Sequence, residues 1–270
     1  MPRLLFIGLS LVLLLRNGPP ALAHDTTHQA GSIHRVITTA PNHITTETYD
    51  RTGALTEVTI DDQHEHTTIR YVFTYDHRGR AQEEMGFDST GTQLYRKVFA
   101  YTEDARERTT GEVAATDEGA FHHAQFSSYD NRNNVSDTLV IDRAQTARNL
   151  FDVLGRLIYS GRFSEGRLAA ELLYRYDARG RLSEIISYDP SGRVTGRLLN
   201  EYDDQDHRIR AITERASAHG TRHWIMTYDY DEHGNWTKEW LSADPTASSD
   251  SELPPPRLLQ ERIIEYYSAE

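Results

Sequence analysis

A short turn motif recurs along the chain and limits the folds that it can adopt. In its full form the motif is an aromatic residue, Asp, two variable residues and Gly, as in Tyr176 to Gly180 (YDARG). Asp at the first position of a turn accepts a hydrogen bond from the backbone just ahead, and Gly supplies the positive φ that follows. Each copy is therefore predicted to reverse a β-strand. The Asp and Gly pairs are Asp50 and Gly53, Asp76 and Gly79, Asp88 and Gly91, Asp152 and Gly155, Asp177 and Gly180, Asp189 and Gly192, and Asp231 and Gly234.

The aromatic residues of the motif are regularly spaced. They stand at positions 49, 75, 101, 129, 151, 176, 202 and 230, so that most intervals are close to 26 residues and hold two turns and two strands. Between turns, apolar and polar residues alternate, as in RLSEIISY at 181–188. A period of this size marks an array of units that bury their faces against neighbours. We therefore predict an all-β fold in which antiparallel hairpins, about sixteen strands in all, form a long twisted or curled sheet.

Several segments depart from the motif. The turns after Tyr101 and Tyr202 lack the Gly and are expected to be degenerate, whereas the segment from Phe163 to Gly166 looks like a further unit. Asn133 stands where Gly would be, and Asn is the next best residue in the left-handed region. The segment from 143 to 150 (RAQTARNL) is compatible with one or two helical turns.

The N-terminal segment resembles a secretory signal peptide. Arg3 gives a positive start, the apolar run from Leu4 to Leu15 is short for a membrane span, and Ala21-Leu22-Ala23 provides a small-residue cleavage site. Residues 1–23 are therefore predicted to be removed and the protein to be secreted or periplasmic, with membrane contact only during export. The alternative is a retained N-terminal anchor.

The rest of the chain divides by composition. Residues 24–46 are predicted to form an N-terminal arm and a first strand, and residues 47–241 the repeats. Residues 242–256 form a linker rich in Pro and Ser, and residues 257–270 a closing strand or a short helix, of which the strand is favoured. The net charge of −12 disfavours nucleic acid as a partner, because phosphate binding needs concentrated Lys and Arg. The absence of Cys excludes disulfides, thiolate metal sites and a Cys nucleophile.

The residues with the clearest binding potential are the three tryptophans. Trp224, Trp236 and Trp240 cluster late in the chain. In a regular strand Trp236 and Trp240 share a face, and an exposed aromatic row there could stack against sugar rings. The alternative is that the tryptophans cap the core of the last repeat.

The chain offers weaker candidates for metal binding. His64 and His66 would share a strand face as a divalent-metal pair, and the run from Asp203 to Asp206 offers oxygen ligands for Ca²⁺. The alternatives are a polar hairpin loop and a solvated turn. No nucleophile elbow, phosphate-binding loop or His-Glu-x-x-His pair is present, so we assign no catalytic residue, no metal site and no cofactor.

The units from Arg175 to Leu182, Tyr188 to Gly192 and Tyr230 to Asn235 resemble the YD repeats of the Rhs family. The resemblance covers most of residues 47–240. It implies a continuous spiralling strip of β-hairpins, which in large members closes into a shell around a toxin or binds surface glycans and partner cells. Residues 1–270 are not expected to close such a shell, and no segment among them resembles a toxin tail or the self-cleaving core.

These observations predict a secreted, non-catalytic repeat protein that binds an envelope glycan or a protein partner. Binding would use one face of the strip or an open sheet edge, since edges recruit strands. The alternatives are a purely structural envelope component and, from another class, a secreted glycan hydrolase with paired carboxylates.

Overall fold

The computed structural model describes residues 33–106, 108–116, 121–142, 145–217, 220–243 and 255–268. Within these ranges the chain forms eighteen β-strands, and each strand pairs antiparallel with its neighbours in sequence. The strands are β1 (Ile33–Ala40), β2 (His43–Tyr49), β3 (Leu55–Asp62), β4 (Thr67–Tyr75), β5 (Ala81–Phe87), β6 (Gln93–Glu103), β7 (Thr109–Thr116), β8 (Phe121–Tyr129), β9 (Val135–Asp142), β10 (Gln145–Phe151), β11 (Leu157–Ser164), β12 (Arg167–Tyr176), β13 (Leu182–Tyr188), β14 (Val194–Tyr202), β15 (Arg208–Ser217), β16 (Gly220–Tyr230), β17 (Trp236–Ala243) and β18 (Arg257–Tyr266).

The sheet closes on itself. β1 pairs with β2 on one side and with β18 on the other, so that Val36 lies opposite both Glu47 and Ile264. The prediction of an all-β antiparallel fold is confirmed, but the prediction of an open twisted or curled sheet is wrong. An open edge for a partner strand is also absent from the described residues, because each strand there has two neighbours. Closure satisfies the backbone groups that two edges would have left unpaired.

The pairing register sets the size of the barrel. Around the ring the pairing register advances by about one residue for each strand crossed, which corresponds to a strand tilt of roughly 35°. With strands about 4.8 Å apart, the backbone diameter is roughly 33 Å. Barrels with this number of strands leave an interior space that side chains do not fill.

The Asp turns share one geometry. Asp177 Oδ1 accepts the backbone N–H groups of Arg179 and Arg181, both at 2.9 Å, and the N–H of Gly180 donates to the Asp177 carbonyl at 3.0 Å. Gly180 has φ +84°, and a β-bulge follows as the strands resume pairing. The bulge adds local twist, which helps the sheet to curl and close. The two side-chain bonds of this geometry form at ten residues: Asp50, Asp76, Asp88, Asp104, Asp130, Asp152, Asp177, Asp189, Asp203 and Asp231.

Some segments differ from their predicted structure. The turns at Asp104 and Asp203 are not degenerate, because the Asp side chain keeps its backbone bonds without a Gly. At the second of these turns Asp206 takes the left-handed conformation, with φ 68°. Glu165 and Gly166 both have positive φ, so that turn is a two-residue hairpin of another type. The predicted helical turns within 143–150 are wrong, since β10 covers most of that segment, and residues 257–266 form a strand.

Eight of the ten Asp turns lie at one end of the barrel, which we call the Asp rim. Consecutive strands run in opposite directions, so every second turn returns to the same end. The spacing near 26 residues is therefore the length of two strands with their two turns. The turns of the Asp rim are those at Asp50, Asp76, Asp104, Asp130, Asp152, Asp177, Asp203 and Asp231.

A repeated set of contacts joins neighbouring turns of the Asp rim. Arg181 pairs with Asp177 at 2.7 Å, and its Cζ lies 4.7 Å over the ring of Tyr202. The Tyr202 hydroxyl donates to the Leu182 carbonyl at 2.9 Å. Bonds equivalent to that of Tyr202 are made by Tyr75, Tyr101, Tyr129, Tyr176 and Tyr230. Near the closure of the ring, the Tyr267 hydroxyl donates to the Tyr49 carbonyl at the end of β2, at 2.7 Å.

The tyrosine bonds of the Asp rim have a natural control, because Phe151 occupies the tyrosine position in one unit. Removing the hydroxyl with Tyr202→Phe is expected to lower the free energy of unfolding by about 1 kcal/mol. Phe151→Tyr is expected to raise it by a similar amount, since the new hydroxyl can reach the Val135 carbonyl. Urea titrations followed by circular dichroism measure both changes. Equal midpoints for the wild type and both variants would contradict the role given to these bonds.

The two faces of the barrel wall differ in burial. One face carries Val36, Val58 and Tyr174, which are at most 8% exposed. The other carries cross-strand ion pairs such as Arg70 with Glu57 at 3.1 Å. Side chains crowd together on the concave side of a curved sheet and spread apart on the convex side, so we assign the more buried face to the interior. The hydrophobic core is a layer on this interior face.

Candidate functional site

A β-bulge separates two of the predicted binding residues. Trp236 pairs with Tyr230, whereas Lys238 pairs with Asp229, so one extra residue is accommodated between them. Because side chains alternate along a strand, this extra residue places Trp236 and Trp240 on opposite faces. The prediction that they share a face is therefore wrong. Trp240 lies on the outer face, where its Nε1 donates to Asp229 Oδ2 at 3.0 Å.

An aromatic row of different composition lies on the interior face. Trp224 and Tyr228 are four residues apart on β16 and share that face. Trp236 meets Tyr228 edge-on, with ring centroids 6.5 Å apart and planes at 70°. Trp224 is 39% exposed, so its ring borders open space. The row leads along the interior wall toward the Asp rim.

The repeat pattern changes where this row meets the Asp rim. The second residue after each turn of the Asp rim faces the interior, and in the earlier units it is a buried or half-buried aliphatic side chain except at Thr109. In the last two units of the rim this position holds Arg208 and Trp236 instead. A polar cation and a large aromatic ring thus replace core residues in this sector. The buried aliphatic side chains at the equivalent position include Leu55, Ala81 and Leu157.

Two arginines stack on the aromatic row. Arg208 Cζ lies 4.4 Å from the centroid of the Tyr228 ring, and Arg262 Cζ lies 4.3 Å from that of Trp236. Both side chains are half-buried, and burial lowers the pKa of Arg262. Within the described part of the chain, neither guanidinium forms a hydrogen bond or an ion pair, although the charges of Glu47 and Asp231 act on Arg262 and oppose the lowering of its pKa. We call Trp224, Tyr228, Trp236, Arg208 and Arg262 the interior cluster.

Carboxylates border the interior cluster. The Tyr228 hydroxyl donates to Glu239 Oε1 at 3.1 Å, and burial together with Glu239 raises the pKa of Tyr228. Glu47 accepts the Tyr49 hydroxyl at 2.9 Å and lies close enough to Arg262 to oppose the lowering of its pKa. The site therefore combines aromatic rings, guanidinium donors and carboxylate acceptors around an open space.

The candidate metal segments are turns. Asp62 Oδ1 accepts the backbone N–H groups of His64 and Glu65, both at 2.9 Å, which fixes a hairpin loop. Asp206 Oδ1 accepts from Arg181 at 2.7 Å, so this oxygen already pairs with a cation. Across the described ranges, no group of three or more His, Asp or Glu could hold a metal ion.

Two interior carboxylates bear on the hydrolase alternative. Burial raises the pKa of Glu112, as a general acid would require. Glu84 is engaged by the Tyr95 hydroxyl and by Lys97 Nζ at 3.3 Å. The strand register puts the backbones of the two glutamates roughly 16 Å apart. Glycosidases hold their two carboxyl groups about 5–9.5 Å apart across the scissile bond, so this arrangement does not favour a hydrolase.

Sequence reasoning identified part of the interior cluster and missed the rest. Trp224 and Trp236 were singled out, whereas Arg208, Tyr228 and Arg262 were not. The signal for Arg208 and Trp236 was present, because both break the aliphatic pattern two residues after a turn. Nothing local marks Arg262, which comes next to Trp236 only because β18 returns to pair with β17 and β1.

Comparisons with known proteins do not place the chain in a family. No family model matches it, and no curated protein matches it. A solved structure of a porin-like protein from Bacteroides uniformis is 10% identical, with a TM-score of 0.47 over 88% of this chain and 99% of that one. Two structures titled TcdB2-TccC3-TEV and TcdB2-TccC3 are 14% and 13% identical, with TM-scores of 0.30 and 0.28 over 16% of each of those chains. The resemblance to YD repeats stays a prediction.

In the portion of the chain that the structure describes, no helix is long and apolar enough to cross a membrane.

Proposed function

We propose that this protein is a non-catalytic barrel of the cell envelope that binds a glycan in its interior. The observation that carries the proposal is the interior cluster. Its rings offer flat apolar surfaces, its guanidiniums offer donors that no described residue accepts from, and its bordering carboxylates accept hydroxyl groups. A few placed polar groups on an otherwise apolar lining are typical of small-molecule and sugar sites.

The barrel dimensions favour a glycan over a folded protein. With a backbone diameter of roughly 33 Å, side chains leave an interior roughly 20 Å across. A folded domain of 100 residues has a radius of gyration of about 13 Å and would not enter. A single glycan chain fits. The closed ring also removes the edge-strand route by which a protein partner was expected to bind.

The outer face of the wall favours contact with water. A barrel that spans a lipid bilayer presents an outward apolar band about 25 Å tall. Here the exposed apolar residues of the outer face, such as Phe126 and Leu139, are interrupted in mid-strand by ion pairs such as Arg148 with Asp137 at 2.7 Å. We therefore place the barrel in an aqueous extracytoplasmic compartment, as expected from the predicted signal peptide. Residues 1–23 lie outside the described residues.

The test of this function uses the different faces of the wall on which the tryptophans lie. Trp224→Ala combined with Trp236→Ala is expected to weaken binding to the recognised polysaccharide at least ten-fold, about 1.4 kcal/mol, because both rings line the interior. Trp240→Ala, on the outer face, is the matched control and is expected to bind like the wild type. The measurement is retention of the mature protein on a panel of immobilised envelope polysaccharides, with circular dichroism to verify folding.

The other outcomes distinguish the alternatives. If the folded wild type is retained on no polysaccharide, the glycan proposal fails and a structural envelope component replaces it. If the wild type shortens a polysaccharide, the hydrolase class replaces it, and Glu112→Gln becomes the next variant. If Trp240→Ala loses as much binding as the interior double variant, the binding surface is not the interior row.

A further inference from the structure

We infer that the interior cluster selects glycans that carry carboxylate groups, such as chains of uronic acids. The inference rests on the proposed function and specifies its ligand class. The inference is based on a contrast among the half-buried arginines of the described side chains. Arg208 and Arg262 form no ion pair there, whereas the others do. Each of the other half-buried arginines forms an ion pair: Arg35, Arg70, Arg80, Arg96, Arg108, Arg156, Arg181, Arg197 and Arg210.

The missing partners are the first argument for an anionic ligand. A half-buried guanidinium without a hydrogen-bonded counter-charge is costly, and this chain is acidic, with a net charge of −12. Two such groups nevertheless lie on the interior wall, one on each side of the rings of Tyr228 and Trp236. Neither Arg208 nor Arg262 contributes an atom to the fully buried polar atoms that lack a partner. Their donors therefore still reach the interior space, where a ligand can meet them.

Stacking orients these donors for a carboxylate. The Cζ atoms of Arg208 and Arg262 lie over aromatic rings, and two N–H groups at the edge of a guanidinium match the two oxygens of a carboxylate. Arg208 and Arg262 flank the pair of rings formed by Tyr228 and Trp236. A ligand that crosses these rings meets a guanidinium on each side. More than one carboxylate along a sugar chain satisfies both.

The carboxylates that border the interior cluster limit the class of anionic ligand that it can bind. Glu239 and Glu47 already accept tyrosine hydroxyls, and each keeps further oxygen lone pairs for sugar hydroxyls. Their charges would repel a dense polyanion such as a phosphate polymer more strongly than a sugar with a single charge per ring. The net charge of −12 also disfavours non-specific attraction of polyanions. A preference for a uronic acid chain would therefore come from the interior cluster and not from the net charge of the protein.

The experiment compares two tetrasaccharides by isothermal titration calorimetry: a tetramer of galacturonic acid and a neutral tetramer of glucose. The wild type is expected to bind the acidic tetramer at least ten-fold more tightly. The double variant Arg208→Gln with Arg262→Gln is expected to lose this preference. Arg262→Lys keeps the charge but not the planar fork, so it is expected to lose most of the preference. Arg210→Gln is the matched control, because Arg210 is an outer-face arginine paired with Glu201 at 3.0 Å.

The results separate this inference from the proposed function. Equal affinities for the two tetramers, or a preference that survives in the folded double variant, would overturn the inference. If the neutral tetramer binds and its binding depends on Trp224 and Trp236, the glycan function stands while the inference fails. If neither tetramer binds, the inference fails and the polysaccharide panel decides the function. If the double variant does not fold, Arg262→Lys decides, since it preserves the cation.

Discussion

Removing β18 is expected to destroy the barrel rather than to shorten it. A chain that stops at Pro256 loses the strand that pairs with both β1 and β17. Two long edges would then be exposed at once, and exposed edges pair with other chains. The free energy of unfolding is expected to fall by more than about 5 kcal/mol, because two complete strand interfaces disappear. A fall of this size is exceptional for a single substitution. We expect dimers or larger assemblies in size-exclusion chromatography with light scattering.

A synthetic peptide of residues 257–268 provides the control for this truncation. Added to the truncated chain, it is expected to restore a monomeric complex and a cooperative thermal transition, since it refills a gap with a strand on each side. An open strip behaves differently. There the loss of a terminal strand costs only one interface and leaves the remaining units folded as a monomer. A stable, monomeric truncated chain that ignores the peptide would refute closure of the ring.

The repeat units of this fold could be predicted from sequence because their geometry is local. Asp at a turn caps backbone N–H groups two and four residues ahead, and this bond depends only on neighbouring residues. The spacing near 26 residues likewise identified the length of two strands. The importance of Gly was overestimated, since Asp203 forms the same turn without it. The Asp side chain, rather than the Gly, is the common requirement.

Closure could not be predicted from the sequence because it is a property of the whole array. It depends on the twist and the register shift accumulated over all strands, to which each bulge adds a small amount. An error in any one unit changes whether the last strand meets the first. The pairing that completes the ring joins β1 to β18, with Val36 opposite Ile264. No local pattern indicates that pairing.

The candidate site was only partly predictable for a related reason. A strand with regular alternation puts Trp236 and Trp240 on one face, and the bulge beside the turn reverses this assignment for Trp236. Because every Asp turn carries such a bulge, the alternation rule fails for the residue that follows each turn by two positions. Applying the bulge to all units would have placed Arg208 and Trp236 on the interior face together.

The turn glycines are expected to show a second large effect, which isolates backbone strain. Gly155 has φ +75°, and a Cβ added there would meet no atom within 4 Å. Gly155→Val therefore introduces no clash, yet it forces a β-branched residue into the left-handed region. The free energy of unfolding is expected to fall by roughly 1–3 kcal/mol, measured by urea titration with an unchanged m-value.

Two variants of exposed turn residues serve as controls for Gly155→Val. Leu154→Ala changes an adjacent residue that is 67% exposed and is expected to alter stability by less than about 0.5 kcal/mol. Glu165→Gly tests the reverse direction, because Glu165 already has φ 50° and Gly relieves its strain. The free energy of unfolding of the Glu165→Gly variant is expected to equal that of the wild type or to exceed it by up to about 1 kcal/mol. If Gly155→Val and Leu154→Ala unfold at the same urea concentration, the positive φ at Gly155 places no demand on the residue, and the common turn geometry fails as an explanation of the repeat.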